Sequence, residues 1–569
     1  MEKKKLFIFI AGLYLLAFIA YYPSVGNGYI WDDNHYVTEN EQLRSFEGLK
    51  NIWSKPKSIP QYYPVVHTSY WLEYQLWGLN PMGYHIINIL LHATTALLIF
   101  LLFRQLKIPL PWLAAVIFVV HPVHVESVAW ITERKNTLSL FFAIASLLCF
   151  IRAINKLDDL EKVKINMYFL SLLLFILAML SKTVVCSLPA VIIILLWWKS
   201  TEWKKPEWKI CLFLIPFFII GISLAMTTVW LEISHVGAKG VEWDTTFTQK
   251  ILIANRSLFF YFSKIVFPHP LIFFYERWDL NTLFPSGLIY MFINLLALCV
   301  SIVMCKKFGK GLLAGLLIFA GILFPALGFI NVYPHRYSFV ADHFQYHATI
   351  VIIGIFVTAL SLLLIKYKKE RFIGVIAALI IIPLVAKSIH HNFDFKSKKV
   401  LWQSTVNKNP SCWAAHHNLG LILLNEKKYS LAKVHFEAAL KYKDTHTQAM
   451  TQLAFIYELE KEYEKAEPYF SKAINIAVKK KENPSYLYLQ RANFYARSGQ
   501  FEKALKDYHQ SVMLNPNQSD AYLGAGNVYM QMKNYPMAKR FYKVRLQYRP
   551  DDTFVIEKLS EINRLQKPN

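Results

Sequence analysis

The first 390 residues carry twelve apolar runs, each close to the length that crosses a lipid bilayer: 6–22, 84–103, 112–129, 137–153, 166–181, 184–198, 209–229, 251–267, 286–304, 311–330, 347–365 and 371–388. A spanning helix needs about 20 mostly apolar residues, and hydrocarbon offers no partner to an unpaired amide. A polytopic, all-helical membrane domain is therefore expected. The composition agrees: 55% of the 569 residues are hydrophobic. The net charge of +24 reads the same way, because many Lys and Arg sit in short clusters between the runs, where membrane topology places them. No nucleic-acid partner is expected. The 6 cysteines are scattered and form no CxxC pair, so neither a disulfide framework nor a zinc site follows.

The basic clusters also count the spans. Lys3, Lys4 and Lys5 precede the first run, which lacks a small-x-small cleavage site and ends in Tyr21-Tyr22-Pro23. It reads as an uncleaved first span with a cytoplasmic N-terminus. Residues 23–83 then fall outside, 104–107 inside, 121–135 outside, 152–164 inside, 181–183 outside and 199–209 inside. Run 251–267 decides the rest. It contains Asn255, Arg256 and Lys264, and a charge at the centre of a span costs about 2.5–3.5 kcal/mol on insertion scales. Read as a helix lying on the outer surface, it leaves eleven spans, puts the clusters at 306–307 and 366–371 inside, and puts the C-terminus outside.

After residue 390 the continuous apolar runs give way to amphipathic patterning of period 3.6, repeated at about 34 residues. The best copy carries Arg491, Ala492, Tyr495, Gly499, Phe501, Ala504, Tyr508 and Pro516. The next carries Gly526, Tyr529, Tyr535, Ala538, Tyr542 and Pro550. Two weaker copies begin at Leu419-Gly420 and Leu453-Ala454. This is the pattern of tetratricopeptide repeats (TPRs), an α-solenoid in which each repeat buries its face only on a neighbour and an end cap is needed. The expected organisation is a membrane domain over 1–390, a linker or partial repeat over 391–412, about four repeats over 413–552 and a capping helix over 553–569.

Several polar groups interrupt the external loops. Just past the first span stand Asp32 and Asp33, which read either as solvated loop charges or as a general base with an orienting acid for attack by a hydroxyl. The next external loop holds His121, His124 and Glu126, then Glu133, Arg134 and Lys135. Two histidines three apart with a nearby Glu are metal candidates by residue type, yet they lack an HExxH signature, and interface histidines commonly just hydrogen-bond. Arg134 and Lys135 either anchor the next helix or bind phosphate. Lys182 lies in a tight external turn and reads either as a snorkelling helix-end cation or as a phosphate contact. The last external interspan loop holds Tyr333, His335, Arg336, Tyr337, Asp342, His343, Gln345 and Tyr346, a set suited to a phosphate and a sugar or to an interfacial aromatic belt. The topology puts all of them on one face, as a phosphate-linked lipid donor would require.

At these residues the chain resembles the transmembrane-and-TPR O-mannosyltransferase group in its bacterial branch, relatives of the protein O-mannosyltransferases with the GT-C membrane fold. The matching stretches are Ile30 to Asp33 with Tyr36-Val37; Gly78 to His92, including His85; His121 to Ala129; Ser181-Lys182; Phe267 to Leu271; and Ala341 to Tyr346. The resemblance implies transfer of a sugar from a polyprenyl-phosphate carrier on the external face. Asp32 would be the base and Asp33 its partner or a donor-positioning group. Arg134, Lys182, Arg336 and His343 would contact donor phosphate or sugar, with His85, His121, His124, Glu126, Asp342 and Gln345 in support. Animal members read Ser-Lys-Glu-Thr at 181–184 and Glu-Arg-Tyr at 342–344, where this chain has Ser181-Lys182-Thr183-Val184 and Asp342-His343-Phe344.

The expected activity is that of an inverting membrane glycosyltransferase carrying mannose or another hexose to an acceptor hydroxyl, with protein Ser/Thr preferred and the repeats gathering the acceptor. The expected location is a bacterial inner membrane, with loops and repeats periplasmic. No resident cofactor beyond the lipid-linked donor is called for; a divalent metal at His121, His124 and Glu126 is the secondary reading. A non-catalytic membrane scaffold that recruits envelope proteins is the alternative. A transporter fits less well, because the charges lie in external loops rather than at mid-membrane.

Overall fold

The computed structural model describes residues 3–154, 163–200, 208–238, 240–280 and 282–566. Segments 155–162 and 201–207, within loops predicted to face inside, and the last residues of the predicted cap lie outside the described residues. Among the described residues all regular structure is helical, with no strand. The chain divides into two compact units, Met1–Asn409 and Pro410–Asn569.

In the first unit all eleven predicted spans appear as apolar helices. Seven are long and apolar enough to cross a membrane singly: Lys3–Val25, Pro81–Gln105, Ile131–Ala153, Ile210–Val236, Ser286–Phe308, Thr349–Lys366 and Glu370–Phe395. An eighth qualifies as a broken pair, Pro111–Val120 and Pro122–Ala129, bent by 51°. Three are shorter: Ile165–Met179, Thr183–Lys199 and Gly311–Ala326. The break has a local cause. Pro122 lacks an N–H and its ring disfavours helical geometry in the residue before it, so His121 turns extended at φ −72, ψ 125. The twelfth run forms Phe247–Val266, closed by a Thr246–Gln249 capping box; it carries Lys250, Arg256 and Lys264 and is not among the spanning helices. It buries Leu252, Ile253, Tyr261 and Ile265 on one side and exposes Phe247, Phe262 and Val266 on the other.

The segment between the first two long spans is packed on itself. Its short helices close on a core of Tyr36, Val37, Leu43, Ile52, Tyr63, Val66, Tyr70 and Tyr84. Residues 391–409 pack with this unit. They form a 3₁₀ turn and the helix Lys398–Lys408, whose Trp402 is buried.

The second unit is a run of paired helices: Trp413–Asn425 with Tyr429–Tyr442, Thr447–Leu459 with Tyr463–Lys479, Ser485–Arg497 with Phe501–Leu514, and Ser519–Gln531 with Tyr535–Tyr548, ending in Thr553–Leu565. The glycines in the pattern mark contact. A Cβ on Gly420 would lie 2.8 Å from the Phe436 ring, and one on Gly526 would lie 2.6 Å from Tyr542. The last helix packs Val555 and Ile562 onto Ala538 and Tyr542.

Candidate functional site

The loop after the first span turns sharply at Trp31, whose φ of +39 is left-handed and unusual for a bulky residue. Asp32 and Asp33 follow, with different surroundings. Asp33 is fully buried. Its Oδ2 accepts from the Ile30 N–H at 2.8 Å, and its Oδ1 accepts from the Thr132 N–H at 2.9 Å and hydroxyl at 2.6 Å. Burial pushes its pKa up to about 7 against those hydrogen bonds. Both oxygens are thus engaged in tying the first loop to the turn before Arg134. Asp32 is partly exposed, and among the described residues its carboxylate makes no hydrogen bond. Burial raises its pKa to about 6, opposed by the nearby charges of Lys135, His35 and His343 and reinforced by Glu133.

Beside Asp32 is a group of basic side chains arranged around Glu133. Lys135 Nζ lies 3.0 Å from Glu133 Oε1, Lys182 Nζ lies 3.4 Å from Oε2, and His343 Nε2 lies 4.0 Å from Oε1. Asn136 bridges them, donating to Glu133 at 2.6 Å while its Oδ1 accepts from Lys182 at 2.7 Å. Lys135 also sits over the rings of Tyr36 and Trp130. Burial lowers the Lys182 pKa to about 8, with Glu133 pulling the other way. His343 is oriented by Glu126, which accepts from its backbone N–H at 3.0 Å and contacts Nδ1 at 2.8 Å. Glu126 reaches that place because the helix breaks at Pro122.

Arg134, expected to contact the donor, faces away from this group. Its guanidinium is fully buried, bonded to Glu73, Asn88 and Ser69 and to the Tyr84 carbonyl. Lys135, one residue on, lies in the cluster instead, because successive helical residues point about 100° apart. Arg336, also expected to contact the donor, is paired elsewhere, 3.1 Å from Glu242 and 2.7 Å from the Tyr333 hydroxyl.

The metal candidates do not converge. His121 contacts the Ile265 carbonyl at 2.9 Å, His124 the Phe118 carbonyl at 2.8 Å, and Glu126 serves His343. Among the described residues no group of three or more His, Cys, Asp or Glu could hold a metal ion. His85 is buried in the helix Pro81–Gln105. Asp342 is buried and accepts from the Tyr275 hydroxyl at 3.0 Å; burial and the charge of Glu126 hold its carboxyl well above the usual range. Gln345 is buried next to it, 3.4 Å from Asp342.

Sequence reasoning singled out Glu133 without giving it a role, and left Asn136 and Glu232 unmentioned. Glu232 accepts from Gln61 at 2.6 Å, and Gln61 accepts from the Tyr36 hydroxyl at 2.7 Å. This links the first loop to the end of the span Ile210–Val236.

A cavity of ≈ 610 Å³ adjoins the cluster. It is almost wholly apolar, between the helices Pro81–Gln105, Ile131–Ala153, Thr183–Lys199, Gly311–Leu323 and Thr349–Lys366. At one end it meets Val184, Val185 and His347, beside Lys182; at the other it meets Phe308 and Lys366. His347 lies 2.9 Å from the hydroxyl of Ser139, one turn from Asn136. The 18 residues of Thr349–Lys366 cover about 27 Å at 1.5 Å each, close to the ~30 Å of bilayer hydrocarbon. The volume lies in the usual range for ligand sites, about 300–1,000 Å³.

The chain is similar across most of its length to Protein O-mannosyl-transferase TMTC3 of Homo sapiens, at 24% identity, covering 96% of this chain and 65% of that protein. A Protein O-mannosyl-transferase of Caenorhabditis elegans is 30% identical over 151 residues, which is 24% of this chain and 22% of that one. The chain spans less than two thirds of the length of these curated relatives. The family described as "TPR repeat" matches residues 492–533, and "Tetratricopeptide repeat" matches 414–446 and 447–477. Among solved structures, YrrB, a TPR protein, aligns at 18% identity and a TM-score of 0.25, covering 35% of this chain and 97% of that one. The resemblance read from the short motifs therefore holds over most of the chain: an integral membrane domain followed by TPRs, with protein O-mannosyl-transferases as relatives.

Proposed function

We propose that this protein is a membrane glycosyltransferase of the inverting GT-C type. It moves a hexose, mannose by analogy with its relatives, from a polyprenyl-phosphate carrier to a hydroxyl of a protein acceptor. The observation that carries the reading is the placement of Asp32: a carboxylate without a hydrogen bond, beside Lys135 and His343 in a cluster that also holds Lys182, next to which an apolar cavity that could take part of a lipid chain begins at Val184, Val185 and His347. The reaction needs all three parts. The acceptor oxygen attacks the anomeric carbon, its proton passes to Asp32, and the bond from that carbon to the phosphate oxygen breaks. Polyprenyl phosphate leaves with the bonding electrons, and Lys182, Lys135 and His343 stabilise the charge it develops. A phosphate leaving group requires little protonation, so one carboxylate suffices.

In this reading Asp33 is a positioning residue, since its oxygens are already engaged. Glu126 fixes the ring of His343. Glu133 keeps the two lysines together before the donor enters and shares them afterwards. The repeats bind the acceptor protein. In this reading the repeats lie on the external face with Asp32, the N-terminus is cytoplasmic and the membrane is a bacterial inner membrane; eleven spans and the alternation of basic clusters support that orientation.

The test is donor turnover. Membranes holding the full chain or Asp32→Asn are given undecaprenyl-phosphate [³H]mannose, and label in precipitated membrane protein is counted. Loss of transfer in Asp32→Asn at equal protein level is expected. Full activity in that variant rules out Asp32 as the base.

A further inference from the structure

The mechanism above gives no role to the buried indole of Trp402. It is 2% exposed, and it lies on the helix Lys398–Lys408, beyond the last span. Its ring centroid is 4.9 Å from that of Trp31, 5.6 Å from Phe273 and 5.7 Å from Phe274. Trp31 in turn meets Phe274 edge-on at 5.8 Å and Tyr337 at 6.0 Å, while Phe274 and Tyr337 stack at 4.7 Å. The indole that directly precedes Asp32 is thus boxed on three sides.

That box acts on a backbone with reason to move. A left-handed conformation at a bulky residue carries of order 1–3 kcal/mol of strain and persists only where its surroundings over-determine it. Here the surroundings come from segments distant in sequence. Beyond Trp402, the Gly28 N–H donates to the Lys396 carbonyl at 3.2 Å, and Asn409 Nδ2 donates to the Phe274 carbonyl at 2.9 Å. The buttress is itself held to the last span. The Asp394 carboxylate contacts His391 at 2.7 Å, Ser404 at 2.7 Å and Lys408 at 2.5 Å. On the other side of Asp32, Asp33 is fixed by Ile30 and Thr132. Asp32 therefore carries no side-chain hydrogen bond of its own and takes its place from its two neighbours.

We infer that the segment 396–409, through Trp402, is a positioning element for the catalytic carboxylate: it holds Trp31 in its left-handed turn and thereby aims Asp32 at the acceptor hydroxyl. This rests on the proposed role of Asp32 as the base. A hydrogen-bond network would lower the basicity of the carboxylate it positioned. An aromatic box positions it and leaves its lone pairs unpartnered. The same box limits water around Asp32, so loosening it should both misplace the carboxylate and return its proton affinity toward that of an ordinary Asp. Displacements of about 1 Å in such a geometry lower rates by roughly 10²-fold.

The experiment uses the full chain in nanodiscs with undecaprenyl-phosphate [³H]mannose as the probe. Trp402→Ala, Trp402→Phe and Asp32→Asn are compared with wild type for kcat, donor KM, the pH profile and backbone hydrogen exchange over residues 28–36. The expected result for Trp402→Ala is a kcat lower by roughly tenfold to 10²-fold, with donor KM within about threefold. The acid limb should move to lower pH, and exchange over 28–36 should speed up. Trp402→Phe, which keeps an aromatic face and stays folded if the alanine variant does not, should recover most of kcat and the wild-type acid limb. Wild-type kcat in Trp402→Ala overturns the inference. So does a loss of kcat with an unmoved acid limb and unchanged exchange, which would mark Trp402 as merely structural. Full activity in Asp32→Asn is a different outcome and overturns the role of Asp32 itself.

Discussion

Arg134 and Lys135 are adjacent, and each enters a buried ionic cluster, yet the two clusters are built on opposite plans. Around Arg134 every donor is answered: Glu73, Asn88, Ser69 and the Tyr84 carbonyl enclose the guanidinium. Around Lys135 the accounts stay open. Two lysines and a histidine share Glu133, and Asp32 beside them accepts no hydrogen bond. A closed cluster holds two helices together and has no capacity left for a ligand. An open one, in which two lysines share the Glu133 carboxylate and keep donors to spare, is poised for an incoming anion. Charge type does not distinguish them; the number of unanswered groups does.

The comparison can be broken in four ways. The largest effect is expected at Asp32: Asp32→Asn should lower sugar transfer by about 10²–10⁴-fold, the usual contribution of a general base, with the protein still folded. Counting transferred label against folded protein checks both halves. Next comes the closed cluster. Arg134→Met leaves Glu73 as an unpaired buried carboxylate, and breaking a buried pair costs about 3–5 kcal/mol. Its thermal unfolding in detergent should shift far down. Loss of activity without loss of stability would place Arg134 in the open cluster instead.

A smaller effect is expected at Lys182. Lys182→Met removes one charge-assisted contact, worth about 1.5–3 kcal/mol, so kcat/KM for the donor should fall by about tenfold to 10²-fold while the melting temperature barely moves. Since the Lys182 pKa is lowered to about 8, activity should also decline above that pH as the ammonium loses its proton. A decline that survives in Lys182→Met belongs to another group.

The smallest effect is a matter of sign. The folded-state pKa of Asp32 is raised to about 6 from the ordinary 3.8. Its protonation therefore favours the fold at low pH, and that contribution is lost as pH rises through 6, whereas the base is active only above 6. Asp32→Asn should unfold slightly later than wild type at pH 7.5, with the gap closing towards pH 4, and wild-type activity should fall on acidification through pH 6. A wild type that is the more stable of the two at pH 7.5 would contradict the burial of that charge.

Legibility in the sequence follows the range of the forces involved. The spans were readable because the bilayer imposes a length on each run independently of its neighbours. Run 251–267 could be set apart because its Arg256 and Lys264 sit where hydrocarbon would penalise them. The repeats were readable because each is packed against a near copy of itself, so Gly420 and Phe436, or Gly526 and Tyr542, recur at a fixed spacing. How His121, His124 and Glu126 are partnered was not readable, because spacing along a chain broken at Pro122 does not report where side chains point. Trp402 could not be assigned at all, since its partners lie at Trp31, Phe273 and Phe274.

By itself the sequence determined the helical membrane domain, the TPR array and the set of polar residues gathered in the loops, because hydrophobic length and short-period patterning are local properties. Only the tertiary structure decided which of those polar residues remain available. Asp32 differs from Asp33, and Lys135 from Arg134, by a single position and a rotation of the backbone. That rotation is set by contacts with Thr132, Glu73, Asn88 and Trp402. The physical reason is that burial and hydrogen-bond saturation, which separate a structural charge from a reactive one, are properties of the assembled interior and not of the residue.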